Sequence, residues 1–304
     1  PIDTVLTPWD SIKYYKYFLN PGFMAMEPAT GQILTWVGGI DYTYFKYDHV
    51  NKKAKRQVGS TFKPFVFTMA IDNGFSPCFK FPNTPPVFPD FDNWSPRNSD
   101  GEYGGMKTLK WGLSNSVNCI TARVMKEVGP ESVIELARNM GIESHIDPYP
   151  AICLGTPDIS VYEMVGAFNT YANKGIYVEP NFLLRIEDKN GNIVKKVIPK
   201  TNEVLHETKN YVMLDMLKTV VNNGTAVRLK YKYKLEGDIA GKTGTTQENS
   251  DGWFIGFTPQ ITAGAWVGAE ERYIHFRSTY LGQGANTGLP IWGKFLQKLY
   301  DDQS

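Results

Sequence analysis

Arg56-Gln57-Val58-Gly59-Ser60-Thr61-Phe62-Lys63-Pro64 leads into the apolar run Phe65-Val66-Phe67-Thr68-Met69-Ala70-Ile71. The pattern predicts a nucleophile at a helix start. Gly59 permits a sharp turn, and three-residue helical spacing sets Ser60 and Lys63 on one face, one turn apart. Lys63 is then placed to take the serine's proton. A helix terminus presents unbonded backbone N–H groups and the positive end of the helix dipole, so an anion developing at Ser60 is stabilised and Lys63 is pressed to lose its charge. Pro64 lacks an N–H and fits only a first turn, which keeps Ser60 at the helix edge.

By abundance alone, roughly one Ser-x-x-Lys is expected in a chain of this length. Two further motifs make this one informative. Ser116-Val117-Asn118 is the only Ser-x-Asn in the sequence and Lys242-Thr243-Gly244 the only Lys-Thr-Gly, and the three follow in that order.

The 304 residues, 42% hydrophobic and 21% charged, suffice for a full core in one large or two smaller units. A formal net charge of +1 gives the whole surface no pull toward nucleic acid or an anionic membrane. Lys46, Lys52, Lys53, Lys55 and Arg56, interleaved with Tyr42, Tyr44, Phe45 and Tyr47, read as a solvated loop, and no nucleic-acid partner is expected. Cys78, Cys119 and Cys153 form no Cys-x-x-Cys and read as buried free thiols, with a bridge between one pair the alternative in an oxidising compartment. His49, His145, His206 and His275 show no metal-binding grouping, so neither metal nor cofactor is assigned.

Residues 1–21, with Trp9, Ile12, Tyr14, Tyr15, Tyr17 and Phe18, read as a packed lead-in continuing from an upstream domain. The chain opens on proline and contains no run of eighteen apolar residues, so any membrane anchor is expected upstream. Gly22–Met26 and Gln32–Val37 around Glu27-Pro-Ala-Thr-Gly31 predict a hairpin. The Pro-, Asp- and Asn-rich segment 77–98 predicts an irregular wall of the cleft. Leu109–Val128 has helical spacing, with Ser116 and Asn118 inside or beside it, and shorter helices are predicted over 131–140 and over 158–173 with Asp158 as N-cap. Asn190-Gly191 marks a β-ribbon, and 208–222 is helical. Residues 237–246, 253–257 and 261–268 predict an antiparallel meander, followed by a terminal helix over 290–300.

Strands at both ends with helices between them imply an α+β fold: one antiparallel sheet from about 22–40 and 237–304, flanked by helices, with a mainly helical lobe inserted at about 60–235. The three motifs are expected at the junction.

So placed, the motifs are the signature set of serine β-lactamases and penicillin-binding proteins. Residues 22–304 closely resemble the transpeptidase domain of class A (bifunctional) penicillin-binding proteins. The likeness is carried by Gly22-Phe-Met-Ala-Met-Glu-Pro-Ala-Thr-Gly, Arg56-Gln-Val-Gly-Ser-Thr-Phe-Lys-Pro, Ser116-Val-Asn, Gly241-Lys-Thr-Gly-Thr-Thr and Asp251-Gly-Trp-Phe-Ile-Gly-Phe-Thr-Pro. Val58 stands where proline is common in that family, and Gly252 where alanine is. The resemblance implies a β-lactamase-like fold and a D,D-transpeptidase that joins peptidoglycan stem peptides ending in D-Ala-D-Ala to an amine acceptor. It implies Ser60 as the acylated residue and Lys63 as general base, neutral through burial and the nearby Lys242 charge. Ser116 is then the proton relay and Asn118 orients Lys63 and the substrate amide. Lys242, Thr243 and Thr245 receive the substrate carboxylate, Gly244 leaves room along the strand, and the backbone N–H groups of Ser60 and Thr245 form the oxyanion hole.

The implied partners are β-lactams as covalent inhibitors and an upstream glycosyltransferase domain. The implied place is the periplasmic side of an inner membrane, held by the missing N-terminal segment. A D,D-carboxypeptidase or β-lactamase, or a non-catalytic β-lactam receptor, carries related motifs. Class A β-lactamases add a deacylating glutamate between the second and third motifs. Glu127, Glu131, Glu143 and Glu163 are the acidic residues weighed for that role, and none stands in a recognisable context. Trp94, Trp253 and Tyr280 are either substrate contacts or packing residues.

Overall fold

In the computed structural model, which describes residues 3–302, five strands form one antiparallel sheet: β1 (Leu19–Met26), β2 (Ile33–Val37), β3 (Ala240–Thr245), β4 (Asp251–Phe257) and β5 (Thr262–Ala269). Their order is β3-β4-β5-β1-β2, so the N-terminal hairpin and the C-terminal meander share one sheet, as the sequence predicts. Every residue of β4 and β5 is buried. The reason is cover on both faces, which removes the polar alternation of a half-exposed strand. On one face Gly264 lies against Val165; on the other Gly256 lies against Trp292, whose indole N–H donates to the carbonyls of Gly256 and Ala263.

The insertion supplies α1 (Lys63–Asp72), α2 (Leu109–Ser114), α3 (Asn118–Val128), α4 (Val161–Ala172) and α5 (Glu207–Asn223), and α6 (Gly288–Asp301) follows the sheet. Helix α1 is buried nearly all round, enclosed by α3 and α5, with Phe62, Phe65, Val66 and Phe67 at zero exposure. Its packing fixes where Ser60 stands.

Three expectations change. The helix placed over 158–173 begins only at Val161, because Ser160 and Glu163 form a reciprocal capping box; Asp158–Ser160 is instead a short strand paired with Lys55–Gln57. The helical pattern over 109–128 breaks at Asn115–Val117, where Ser116 adopts φ +58°. The lead-in packs only on the surface: Pro8–Lys16 is a helix with no buried residue, held by Tyr14 and Tyr15 clustering with Phe18 and Phe45 and by Lys16 pairing with Glu270 and Glu271. The ribbon expected around Asn190-Gly191 is present as Arg185–Glu187 paired with Ile193–Lys196. All three cysteines are free, with Cys119 and Cys153 buried. No helix among the described residues is long and apolar enough to cross a membrane.

Candidate active site

Gly59–Phe62 forms one tight 3-10 turn that runs directly into α1. In such a turn residues i and i+3 eclipse each other, so Ser60 and Lys63 lie one above the other even before the α-helix begins. Gly59 is required twice over. Its φ is +54°, and a Cβ there would stand 2.6 Å from the Thr245 carbonyl oxygen. The turn is pinned by Gly59 N–H donating to Gly155 O at 2.9 Å, by Thr61 Oγ1 donating to Val58 O at 2.7 Å, and by Trp253 Nε1 donating to Gln57 O at 2.9 Å.

Lys63 is wholly buried, and its amine meets three acceptors: Ser116 O at 2.5 Å, Asn118 Oδ1 at 2.7 Å and Ser116 Oγ at 3.3 Å. These match the three donors of an ammonium group. The left-handed backbone at Ser116, in the break between α2 and α3, is what turns both its carbonyl and its hydroxyl toward Lys63. Asn118 is steadied from the other side, its Nδ2 donating to Arg97 O at 2.8 Å. The segment 77–98 therefore braces the site rather than forming its wall, and Ser99 is the nearby residue that reaches the cavity. No hydrogen bond joins Ser60 to Lys63 in this state; Ser116 Oγ is shared instead by Lys63 and Lys242.

Lys242, also wholly buried, donates to the same Ser116 Oγ at 2.9 Å and to Thr243 O at 3.0 Å. Burial lowers Lys63 from its ordinary range to about 7. Burial also pushes Lys242 well below its usual value, and repulsion from Lys63 adds to that. Burial is the main cause for both amines, and the mutual repulsion of Lys63 and Lys242 adds to it. Two amines bridged by one hydroxyl in a dry site share less than their full charge near neutrality.

A cavity of about 360 Å³ opens over this cluster, lined by Ser60, Ser116, Asn118, Thr243 and Thr245 among others. Strand alternation sorts the Lys-Thr-Gly segment. Lys242 and Gly244 project toward the nucleophile turn, and the alternate residues Thr243 and Thr245 reach the cavity at the exposed edge of the sheet. A Cβ at Gly244 would meet the Thr61 methyl and Val58 O at 2.8 Å, so its absence admits the nucleophile turn. Lys242 lies beneath the cavity, not on its lining. The backbone of Gly59, next to Ser60, closely approaches that of Thr245.

Several contributors carry no local signal in the sequence. Thr225 shares a 2.7 Å hydrogen bond with Thr243, and Gly284 N–H donates to Thr245 Oγ1 at 3.0 Å, both across long chain separations. Trp253 is fully buried and holds the nucleophile turn, whereas Trp94 and Tyr280 line no part of the cavity. Of the glutamates considered for deacylation, Glu163 is locked. Burial alone would raise its carboxyl, but hydrogen bonds from Ser160 and Ser144 outweigh that and hold it low. None of Glu127, Glu131, Glu143 or Glu163 lines the cavity.

The model of the penicillin-binding protein transpeptidase domain matches residues 22–270. Penicillin-binding protein 1A of Aquifex aeolicus is 32% identical over 285 residues, which is 92% of this chain and 38% of that protein. The chain thus spans about two fifths of the length of the curated relatives it matches. Among solved structures, penicillin-binding protein 1A of Haemophilus influenzae superposes with a TM-score of 0.86 at 23% identity, over 94% of this chain and 48% of that one. PonA1 of Mycobacterium tuberculosis, in complex with penicillin V, gives 0.80 at 22% identity, over 97% of this chain and 83% of that one. By a match that runs over most of its length, this chain belongs to the penicillin-binding protein transpeptidase domain family.

Proposed function

We propose that this chain is the serine D,D-transpeptidase unit of a peptidoglycan-synthesising penicillin-binding protein. Ser60 Oγ attacks the carbonyl of the penultimate D-alanine of a stem peptide and its proton passes into the Lys63–Ser116–Lys242 cluster. The terminal D-alanine leaves as its amine, taking up a proton relayed by Ser116. The amine of a neighbouring stem peptide then attacks the Ser60 ester, forming the cross-link and restoring the serine. Backbone N–H groups of Ser60 and Thr245 steady the oxyanion in both steps; one such donor is typically worth about 10²–10³ in rate. Thr243 and Thr245 receive the departing residue's carboxylate, with Lys242 supplying field from below.

The observation that carries this reading is the placement of one hydroxyl, Ser116 Oγ, within 2.9 and 3.3 Å of two buried amines at the floor of the cavity that exposes Ser60. Family membership, the names of the penicillin-binding protein 1A relatives and the penicillin V complex of PonA1 support β-lactams as covalent inhibitors. In the whole protein we place a glycosyltransferase domain and a membrane anchor upstream, with this unit on the periplasmic side of the inner membrane.

A β-lactam should label Ser60, as mass measurement and peptide mapping will show, and Ser60→Ala should abolish the labelling while leaving thermal unfolding in place. An adduct on another serine sinks the assignment. Once excess drug is removed the adduct should persist in plain buffer; its hydrolysis within seconds would favour a β-lactamase. A stem-peptide donor with an excess of amine acceptor should give cross-linked product, which neither a carboxypeptidase nor a receptor would yield.

A further inference from the structure

The cavity over Ser60 is lined almost entirely by neutral polar groups, and among the described residues on its lining Glu248 alone carries a formal charge. Glu248 stands three residues beyond the end of β3, in the short turn Gln247–Asn249 that joins β3 to β4. Its carboxylate makes no hydrogen bond or ion pair with any described residue and is exposed. Its backbone, by contrast, is fixed. Glu248 and Asn249 both adopt φ +61°, Asn249 N–H donates to Thr246 O at 3.2 Å, and Asn249 Nδ2 donates to Phe276 O at 3.4 Å. At the turn's base Asp251 N–H donates to Thr246 Oγ1 at 3.0 Å. An unpartnered anion is thus held on a firm support at the rim of the reaction cavity.

The direction of a bound peptide decides what this anion meets. Strand β3 is an edge of the sheet, and an extended peptide adds to such an edge through its backbone groups. With its terminal carboxylate at Thr243 and its reacting carbonyl at Ser60, the donor's preceding residues run on past Thr245 toward the turn. The acceptor is the less suitable guest, because its amine must be neutral to attack and a carboxylate in contact would hold its proton.

We propose that Glu248 is a specificity residue that receives a cationic side chain on the acyl-donor peptide, favouring stem peptides that carry a primary ammonium one residue before the reacting D-alanine. It presupposes the transpeptidase reaction at Ser60 and adds a preference in donor charge. The pair would form at a water-exposed rim, so the effect is modest, about two- to five-fold in the acylation rate constant, and it shrinks as ionic strength rises.

The test uses two penicillins with the same ω-aminoalkanoyl side chain, one with the amine free and one with it acetylated. Acylation of Ser60 is followed by intact mass in the wild-type chain, Glu248→Gln and Glu248→Lys. The expected free-to-acetylated rate ratio is about two to five in wild type, about one in Glu248→Gln and below one in Glu248→Lys. A ratio that is the same in all three proteins overturns this inference alone, because Ser60 still acylates. Failure of both compounds to label wild-type Ser60 overturns the transpeptidase assignment and this inference with it.

Discussion

Two buried polar clusters flank the Ser60 turn, and they are built on opposite electrostatic plans. On one side Lys63 and Lys242 meet at Ser116 Oγ beside Asn118, two amines with no carboxylate among their hydrogen-bond partners. On the other, Asp251 is fully buried and accepts from Arg56 Nε at 2.7 Å, Trp266 Nε1 at 2.9 Å and Ser250 Oγ at 2.9 Å, while the Arg56 guanidinium lies 4.9 Å over the Trp266 ring. The second cluster is charge-balanced and ties the strand leading to Ser60 to the start of β4. Its atoms have every reason to stay as they are. The first is unbalanced, so its protons are held weakly and can be exchanged near neutral pH. Position is supplied by the balanced cluster and chemistry by the unbalanced one.

The largest expected effect lies in the unbalanced cluster. Lys63→Ala should slow acylation by a β-lactam about 10²–10⁴-fold, the usual contribution of a general base, while the unfolding transition remains cooperative. In the wild type the acylation rate should rise with pH through about 7, where Lys63 loses its proton, and then level off. An alanine variant that acylates at the wild-type rate, or a wild-type rate flat across that range, would remove Lys63 from the role of base.

Next in size is the balanced cluster. Asp251→Ala leaves the half-buried Arg56 without its carboxylate, and because its side chain is 13% exposed and still donates to Glu270 O the cost should fall at or below the low end of the buried-pair range, about 2–3 kcal/mol. Urea unfolding should show that loss. The activity remaining at a temperature where the variant is folded should keep the wild-type pH profile, because no titrating amine has been touched. A shifted profile would mean that the two clusters are one.

The division between position and chemistry also marks what the sequence could disclose. Ser60 with Lys63, Ser116 with Asn118 and the Lys242 segment are local spacings, and local spacing survives as a short motif in a linear string. Most strands were likewise readable, since the strands of the meander and the separate Asn190-Gly191 ribbon each announce themselves by their own residues. What stayed hidden depends on partners far along the chain. Nothing near Thr225 announces Thr243, and nothing near Trp253 announces Gln57. Gly244 was recognisable as special, but the approach of Thr61 and Val58 to it is visible only in the fold. At Ser160 the capping signal Ser-x-x-Glu was present and outweighed Asp158, whose strand partner lies about a hundred residues away.

The smallest effect follows from the sign of the lysine shifts. Folding lowers Lys63 to about 7 from an ordinary value of 10.5, so between those limits the unfolded chain binds a proton that the folded chain has released. Stability therefore rises with pH across that window, and below about 7 the cost of burying the charged amine is present in full. Lys242 is lowered in the same direction and acts with the same sign. Set against Lys63→Met, which lacks this titration, the wild-type chain should gain about 1 kcal/mol in relative stability between pH 7 and pH 8. Differential denaturation of the two proteins at each pH measures that difference while cancelling titrations they share. A gain confirms that the catalytic cluster is held at a cost that its own deprotonation relieves. A difference that is constant with pH would show Lys63 to be charged throughout, as settled in its pocket as Arg56 is beside Asp251, and the contrast between the two clusters would be lost.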